Sequence, residues 1–309
     1  MKTLSIDHPS VDHLELRLKT MLPEPYQESC ESVLPLLMGT AGLKFGADGK
    51  VAWDQIWGSF CHLAMAGGPP HKGTLLVPAR LEEINAEPER YSEVVQEICR
   101  GVGMVTGLAA ELSPNPGWIR VSCSSTVMAG WLVRAIVMEN VSARVDGLWL
   151  ELPAGPHYRI AKEIKNVVTV IAKTSHYWVD HTSPEQHKAV ESLFSAMESE
   201  SPLIQIALFD RDVQPDNQKL LSGKIAGSIL EKTGLSSLDQ PYEGWLGLSF
   251  GDVSTAIWMM RVLAVCNTCA RREGTTVFVP LDPLSDPDGE MLVRAVVRAH
   301  GFAVERKML

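Results

Sequence analysis

The chain is short of positive charge. Twenty-eight Lys and Arg stand against 37 Asp and Glu, a net charge of −9 with a pI near 5.5. A protein that neutralises phosphates needs a basic face, so this balance argues against a nucleic-acid partner. A long hydrophobic run is also missing. The longest apolar stretch, Val121 to Val133, is too short to span a bilayer, and Arg134 ends it. No membrane association is therefore expected. The N-terminal MKTLSIDHPSVDHLELRLK has neither the apolar centre nor the small-residue cleavage pattern of a secretory signal. Six cysteines in 309 residues do not make a disulfide framework, and a reducing, cytoplasmic setting is the expectation. Gly67 to Gly73 (GGPPHKG) lacks the Lys-Ser/Thr end of a phosphate-binding loop and reads as a turn. No cofactor signature is present, so the cofactor stays unnamed.

What the chain does have is an internal repeat. Gly117 to Pro153 returns as Gly244 to Pro280 at one constant offset, with no gap. From Ile98 to Pro153 there are 16 identities in 56 pairs, against roughly three expected from average composition. They include Gly107/Gly234, Gly117/Gly244, Trp118/Trp245, Trp131/Trp258, Arg134/Arg261, Asn140/Asn267, Arg144/Arg271 and Gly147/Gly274. A fixed period with such agreement is the mark of tandem duplication.

Each copy reads as a helix followed by β-α-β-α-β-β-α. In the first copy these are a helix from Trp53 to Met65, a strand from Thr74 to Val77, and a helix from Tyr91 to Val105. A strand from Gly117 to Cys123 and a helix from Ser125 to Met138 follow. The hairpin Val141–Val145/Leu148–Leu152 turns on Asp146-Gly147, and a helix runs from Tyr158 to Thr174. Acidic-Gly pairs signal such turns because Gly tolerates positive φ. The second copy supplies His187–Met197, Leu203–Leu208, Asn217–Lys232 and Asp288–His300. The expectation is an α+β protein of mixed-sheet α/β modules, with a helical N-terminal extension over 1–50 and repeat modules over 51–180 and 181–309. A short helix is expected from Tyr26 to Leu37. The β-α-β-α-β-β part resembles the modules of TusA-type sulfur carriers and of the enolpyruvyl transferase/RNA phosphate cyclase group. The resemblance is topological, because the Cys-Pro motif of sulfur carriers is absent: Cys123 precedes Ser124.

The repeated Trp residues suit core packing, and the repeated Arg134 and Arg144 suit structural ion pairs. Positions where the copies differ are more informative about function. On the helix from Tyr158 to His176, Lys162, Lys165, Asn166, Thr169, Lys173 and His176 share one side. Glu163 can pair with Arg159 four residues earlier, but Lys162, Lys165 and Lys173 have no carboxylate at that spacing. Such a face would bind an anion, with Lys162, Asn166, Thr169, Lys173 and Arg134 as ligand-binding residues. His176 would be an acid/base near neutral pH, with Glu139 and Cys123 as further catalytic candidates. On this reading Lys173→Ala would cost ligand binding and little stability. In the second copy, Glu290 and Arg294 look like an ordinary surface ion pair.

Cys123 lies at a strand-to-helix junction, where free N–H groups would favour a thiolate. Cys266-Asn-Thr-Cys269 lies at a helix end, which disfavours one. His176 and His181 could contribute nitrogen ligands to a metal, within the polar stretch HYWVDHTSPEQH. The leading expectation is an enzyme acting on a small anionic metabolite, with its site mainly in the first copy or at the inter-copy cleft. The alternatives are a metal- or sulfur-handling accessory protein and a non-catalytic subunit with a protein partner. A homo-oligomer is compatible with each.

Overall fold

Ser125 and Asp252 differ in type but hold equivalent places in the two copies and do the same work. The Ser125 side chain accepts from the Met128 N–H at 3.1 Å, and Asp252 Oδ1 accepts from the Thr255 N–H at 2.9 Å. Each supplies the acceptor that a helix start lacks. The helices they open, Thr126–Met138 and Val253–Val265, have equal length and stand at the offset of the sequence repeat. Both are close to fully buried, which accounts for their apolar composition on every side.

The computed structural model describes residues 11–22, 27, 42–55, 73–208, 215–238 and 242–309. Within them the helices are α1 (Val11–Met21), α2 (Leu81–Ala86), α3 (Pro88–Thr106), α4 (Thr126–Met138), α5 (Lys165–Asp180), α6 (Pro184–Glu200), α7 (Pro215–Thr233), α8 (Val253–Val265) and α9 (Glu290–Glu305). The strands are β1 (Ala110–Leu112), β2 (Trp118–Ser122), β3 (Arg144–Asp146), β4 (Trp149–Pro153), β5 (Ser237–Leu238), β6 (Trp245–Ser249), β7 (Arg271–Glu273) and β8 (Thr276–Pro280). The expected helices over Tyr26–Leu37 and most of Trp53–Met65, and the GGPPHKG turn, lie outside the described residues apart from single positions and a short 3-10 turn at Trp53–Gln55.

The chain divides into two compact units, Val33–Lys188 and Met1–Ser32 with Ala189–Leu309. Each holds one antiparallel four-stranded sheet, ordered β1-β2-β4-β3 in the first and β5-β6-β8-β7 in the second. The registers agree: Trp118 faces Pro153 as Trp245 faces Pro280. This is the expected α+β fold with a duplicated sheet module. The strands expected at Thr74–Val77 and Leu203–Leu208 narrow to single parallel bridges, Leu76 with Val141 and Ile204 with Thr268. The edge strands β1 and β5 are not foreshadowed in the sequence, because such short runs carry no periodic signal.

The repeated tryptophans do the same packing work in each unit. Trp131 lies 5.5 Å from Trp178 between ring centroids, and Trp258 lies 5.0 Å from Phe302. Both are buried, so the ring pair pins the last helix of each module onto the central one. In the first unit, Trp53 is wholly buried and its indole N–H donates to Glu97 at 2.8 Å. In the second unit, α1 packs against α8 and α9. Among the described residues no helix is long and apolar enough to cross a membrane.

Candidate functional site

The polar face of the first module slopes from the surface into the core. Lys162 is exposed, Lys165 and Asn166 are half-buried, and Thr169 and Lys173 are buried. Helix α5 is preceded by a π-helical turn, Ile160–Ile164, where Arg159 and Glu163 pair at 3.0 Å as the spacing suggested. Burial alone would raise the Glu163 carboxyl, but hydrogen bonds from the Arg159 side chain and backbone outweigh it and hold it down at about 2.

Lys173 corrects the picture of an uncompensated cationic stripe. Its Nζ donates to Glu139 Oε1 at 2.7 Å, with 3% and 1% of the two side chains exposed. The carboxylate comes from the end of α4, 34 residues earlier in sequence, and not from the lysine's own helix. Two of the candidate residues are thus brought together as a buried ion pair, which neutralises the charge that was to attract a ligand. Arg134 is buried too, and its Nη1 donates to the Gly130 carbonyl one turn back at 2.5 Å. Arg144 pairs with Glu151 across the hairpin at 3.3 Å. Its counterpart Arg271 pairs with Glu273 at 2.6 Å and lies over the rings of Tyr242, Trp245 and Phe278.

Cys123 is buried at the end of β2, and burial pushes its thiol up to about 12. A nucleophilic thiolate needs the opposite shift. One of the helix-start N–H groups, that of Met128, is taken by the Ser125 hydroxyl. Burial also pushes Cys266 up to about 11, in keeping with a structural thiol at a helix C-terminus. His176 lies at the far end of α5 with its Nδ1 2.5 Å from Asp180 and its Nε2 3.3 Å from His181 Nε2. His187 is held elsewhere: it stacks on Trp178 at 4.1 Å and its Nε2 lies 2.6 Å from the Thr182 hydroxyl.

A cavity of about 560 Å³ opens instead in the second unit, beside the place where Cys266 replaces Glu139. Arg17 of α1, Glu200 of α6, Cys266 and Asn267 after α8, and Arg294 and Arg298 of α9 line it. On α9 the lining residues Met291, Arg294, Ala295 and Arg298 follow helical spacing, so they form one face. Three arginines and one carboxylate therefore line the cavity. Glu200 accepts from both Arg17 Nη groups and from Arg298 Nη1, the latter at 2.7 Å. Burial would raise the Glu200 carboxyl, and these hydrogen bonds reverse that and leave it below the usual range. On α1, burial and then the Arg17 charge hold His13 below the usual imidazole value.

Arg17 Nη1 also donates to the Val265 carbonyl at 3.3 Å. Arg17 Nε, Arg298 Nε and Arg298 Nη2 are buried with no hydrogen-bond partner among the described residues. Arg294 is exposed and, among the described residues, forms no ion pair with Glu290, contrary to the expected surface pair. Arg294 and Arg298 also stand four residues apart, where like charges repel. That i,i+4 arginine pair is the sequence signal for this site, and the nearby Glu290 masks it by offering a local partner. Among the described residues no group of three or more His, Cys, Asp or Glu gathers as a metal site.

Comparison with family models, characterised proteins and solved structures finds no match to this chain.

Proposed function

We propose that the protein recognises and acts on a small anionic metabolite, and that the ligand enters the cavity of the second unit. The observation that carries this reading is the excess of guanidinium groups over carboxylate around a cavity of about 560 Å³. Small-molecule sites commonly fall in the range of about 300–1,000 Å³. Buried guanidinium donors without acceptors are costly, and a carboxylate or phosphate supplies the matching acceptors in bidentate form. The first-module helix face supports this role less well, since Lys173 is compensated by Glu139.

The test is calorimetric titration of the full chain with inorganic phosphate and with succinate. Binding of either, weakened at least tenfold by Arg294→Ala with the unliganded melting temperature unchanged, is the expected result. Arg294 is exposed, so its loss should leave the fold intact. Binding lost instead in Lys162→Ala/Lys165→Ala, with Arg294→Ala silent, would move the site to the first module. No binding of either anion would overturn the choice of these two ligand classes.

A further inference from the structure

The end of α5 carries a different constellation, independent of the cavity. His176 and the residue after the helix, His181, turn their Nε2 atoms toward each other at 3.3 Å. Their rings are near-perpendicular, 83° between planes, with centroids 4.9 Å apart. His176 Nδ1 lies 2.5 Å from Asp180 Oδ2. Asp180 accepts the Nδ1 proton, which in the neutral ring leaves a lone pair on Nε2. The contact between the two rings is then a hydrogen bond donated by His181 Nε2.

We infer that His176 and His181 form a two-histidine site for a divalent transition metal, with zinc the best fit and Asp180 as the positioning residue. The separation of the two nitrogens carries the argument. Two nitrogens at the usual zinc distance of about 2.0–2.1 Å, subtending a tetrahedral angle, stand roughly 3.3–3.4 Å apart. The observed 3.3 Å matches that edge. A square-planar or octahedral edge at the same bond length would be shorter, roughly 2.9 Å. The cation would take the place of the shared proton, and His181 would carry its remaining proton on Nδ1.

Two further features suit a cation here. The carbonyl end of a helix carries partial negative charge, and His181 caps that end, its N–H donating to the Tyr177 carbonyl at 3.0 Å. The contact from Asp180 to the non-coordinating nitrogen is the usual carboxylate–histidine arrangement around zinc, which fixes the tautomer and raises ligand basicity. The site is also reachable, with 37% of the His176 side chain and 57% of the Asp180 side chain exposed. Two protein ligands leave two tetrahedral positions for water or another small ligand. His187 is not a third ligand, because its Nε2 already lies 2.6 Å from Thr182 and 2.9 Å from the Trp178 carbonyl.

The experiment uses the full chain, stripped with chelator and titrated with zinc chloride, with cobalt(II) as a spectroscopic stand-in. The expected result is one equivalent of zinc bound, and a cobalt(II) complex with the intense visible bands of tetrahedral coordination. That equivalent should be lost in His176→Ala and in His181→Ala, and retained in His157→Ala, an exposed histidine of the same unit. Asp180→Asn should weaken binding by roughly 10- to 100-fold, the usual cost of removing such an outer partner. His176→Gln serves as a second variant should the alanine form melt lower without metal. The proposal is overturned if the His176→Ala/His181→Ala double variant keeps the same equivalent of zinc, or if the native chain binds none.

Discussion

Lys173 and Glu139 meet at 2.7 Å in the interior of the first module, while the residue at the Glu139 position of the second copy is Cys266. One copy closes this spot with a buried salt bridge. The other leaves a cavity lined by a thiol, three arginines and a single carboxylate. Duplication thus gave two versions of one helix junction, one sealed and one open.

Breaking the sealed version should cost stability. Lys173→Ala or Glu139→Ala removes one member of this buried ion pair and leaves the other charge in the interior, an effect of about 3–5 kcal/mol. This reverses the expectation that Lys173→Ala would touch only ligand binding. Replacing both members with apolar residues, Glu139→Leu with Lys173→Met, should recover most of that loss. Urea unfolding of the three variants measures it. Single variants as stable as the native chain would mean that the pair does not hold in solution.

The fold was legible where backbone demands fixed residue identity. Gly107, Gly117, Asn140 and Gly147, and their counterparts Gly234, Gly244, Asn267 and Gly274, all have φ between 56° and 84°. Only Gly, or Asn at some cost, adopts that region readily, so the duplicated chain kept them. Gly117 has a second reason: a Cβ there would stand 2.3 Å from the Ala79 carbonyl oxygen. The site was not legible in the same way. The partner of Lys173 lies on another helix, and the i,i+4 rule looks only along one. The cavity needs Arg17 from α1, a helix inside the expected helical extension whose own bounds were not read from the sequence, together with Arg298 from near the other end of the chain. Local spacing carries no trace of such a meeting.

The buried thiols of Cys123 and Cys266 and the half-buried thiol of Cys99 predict a pH dependence. Burial holds Cys123 at about 12, and Cys99 and Cys266 at about 11, against an ordinary thiol value of 9.0. Below that ordinary value the thiols are protonated in folded and unfolded chains alike, and their contribution to stability is fully present. As pH rises from there toward the folded values, the unfolded chain ionises first and stability is lost. Each thiol contributes a slope of up to about 1.4 kcal/mol per pH unit. Cys123→Ala should flatten the alkaline limb of a stability–pH curve. At neutral pH these thiols should alkylate more slowly than a free peptide thiol. Fast labelling of Cys123 in the native chain would contradict the burial described for it.

Installing the first module's carboxylate in the second tests the relation between the two junctions. In Cys266→Glu, the new side chain enters the cavity beside Arg298 and Arg17, whose charges already act on the Cys266 thiol. A carboxylate there supplies acceptors for the guanidinium nitrogens that have none among the described residues. It reproduces inside the chain what an anionic ligand would do from outside. The expected outcome is a loss of phosphate or succinate affinity of at least tenfold. The unliganded protein should melt no lower than the native chain, because the new charge finds partners in place. Cys266→Gln fills nearly the same volume without the charge, so it separates occlusion from neutralisation. If Gln and Glu weaken binding equally, space is the limiting factor. If Glu alone abolishes it, the arginines are the recognition element. Undiminished binding in Cys266→Glu would show that the anion is held elsewhere.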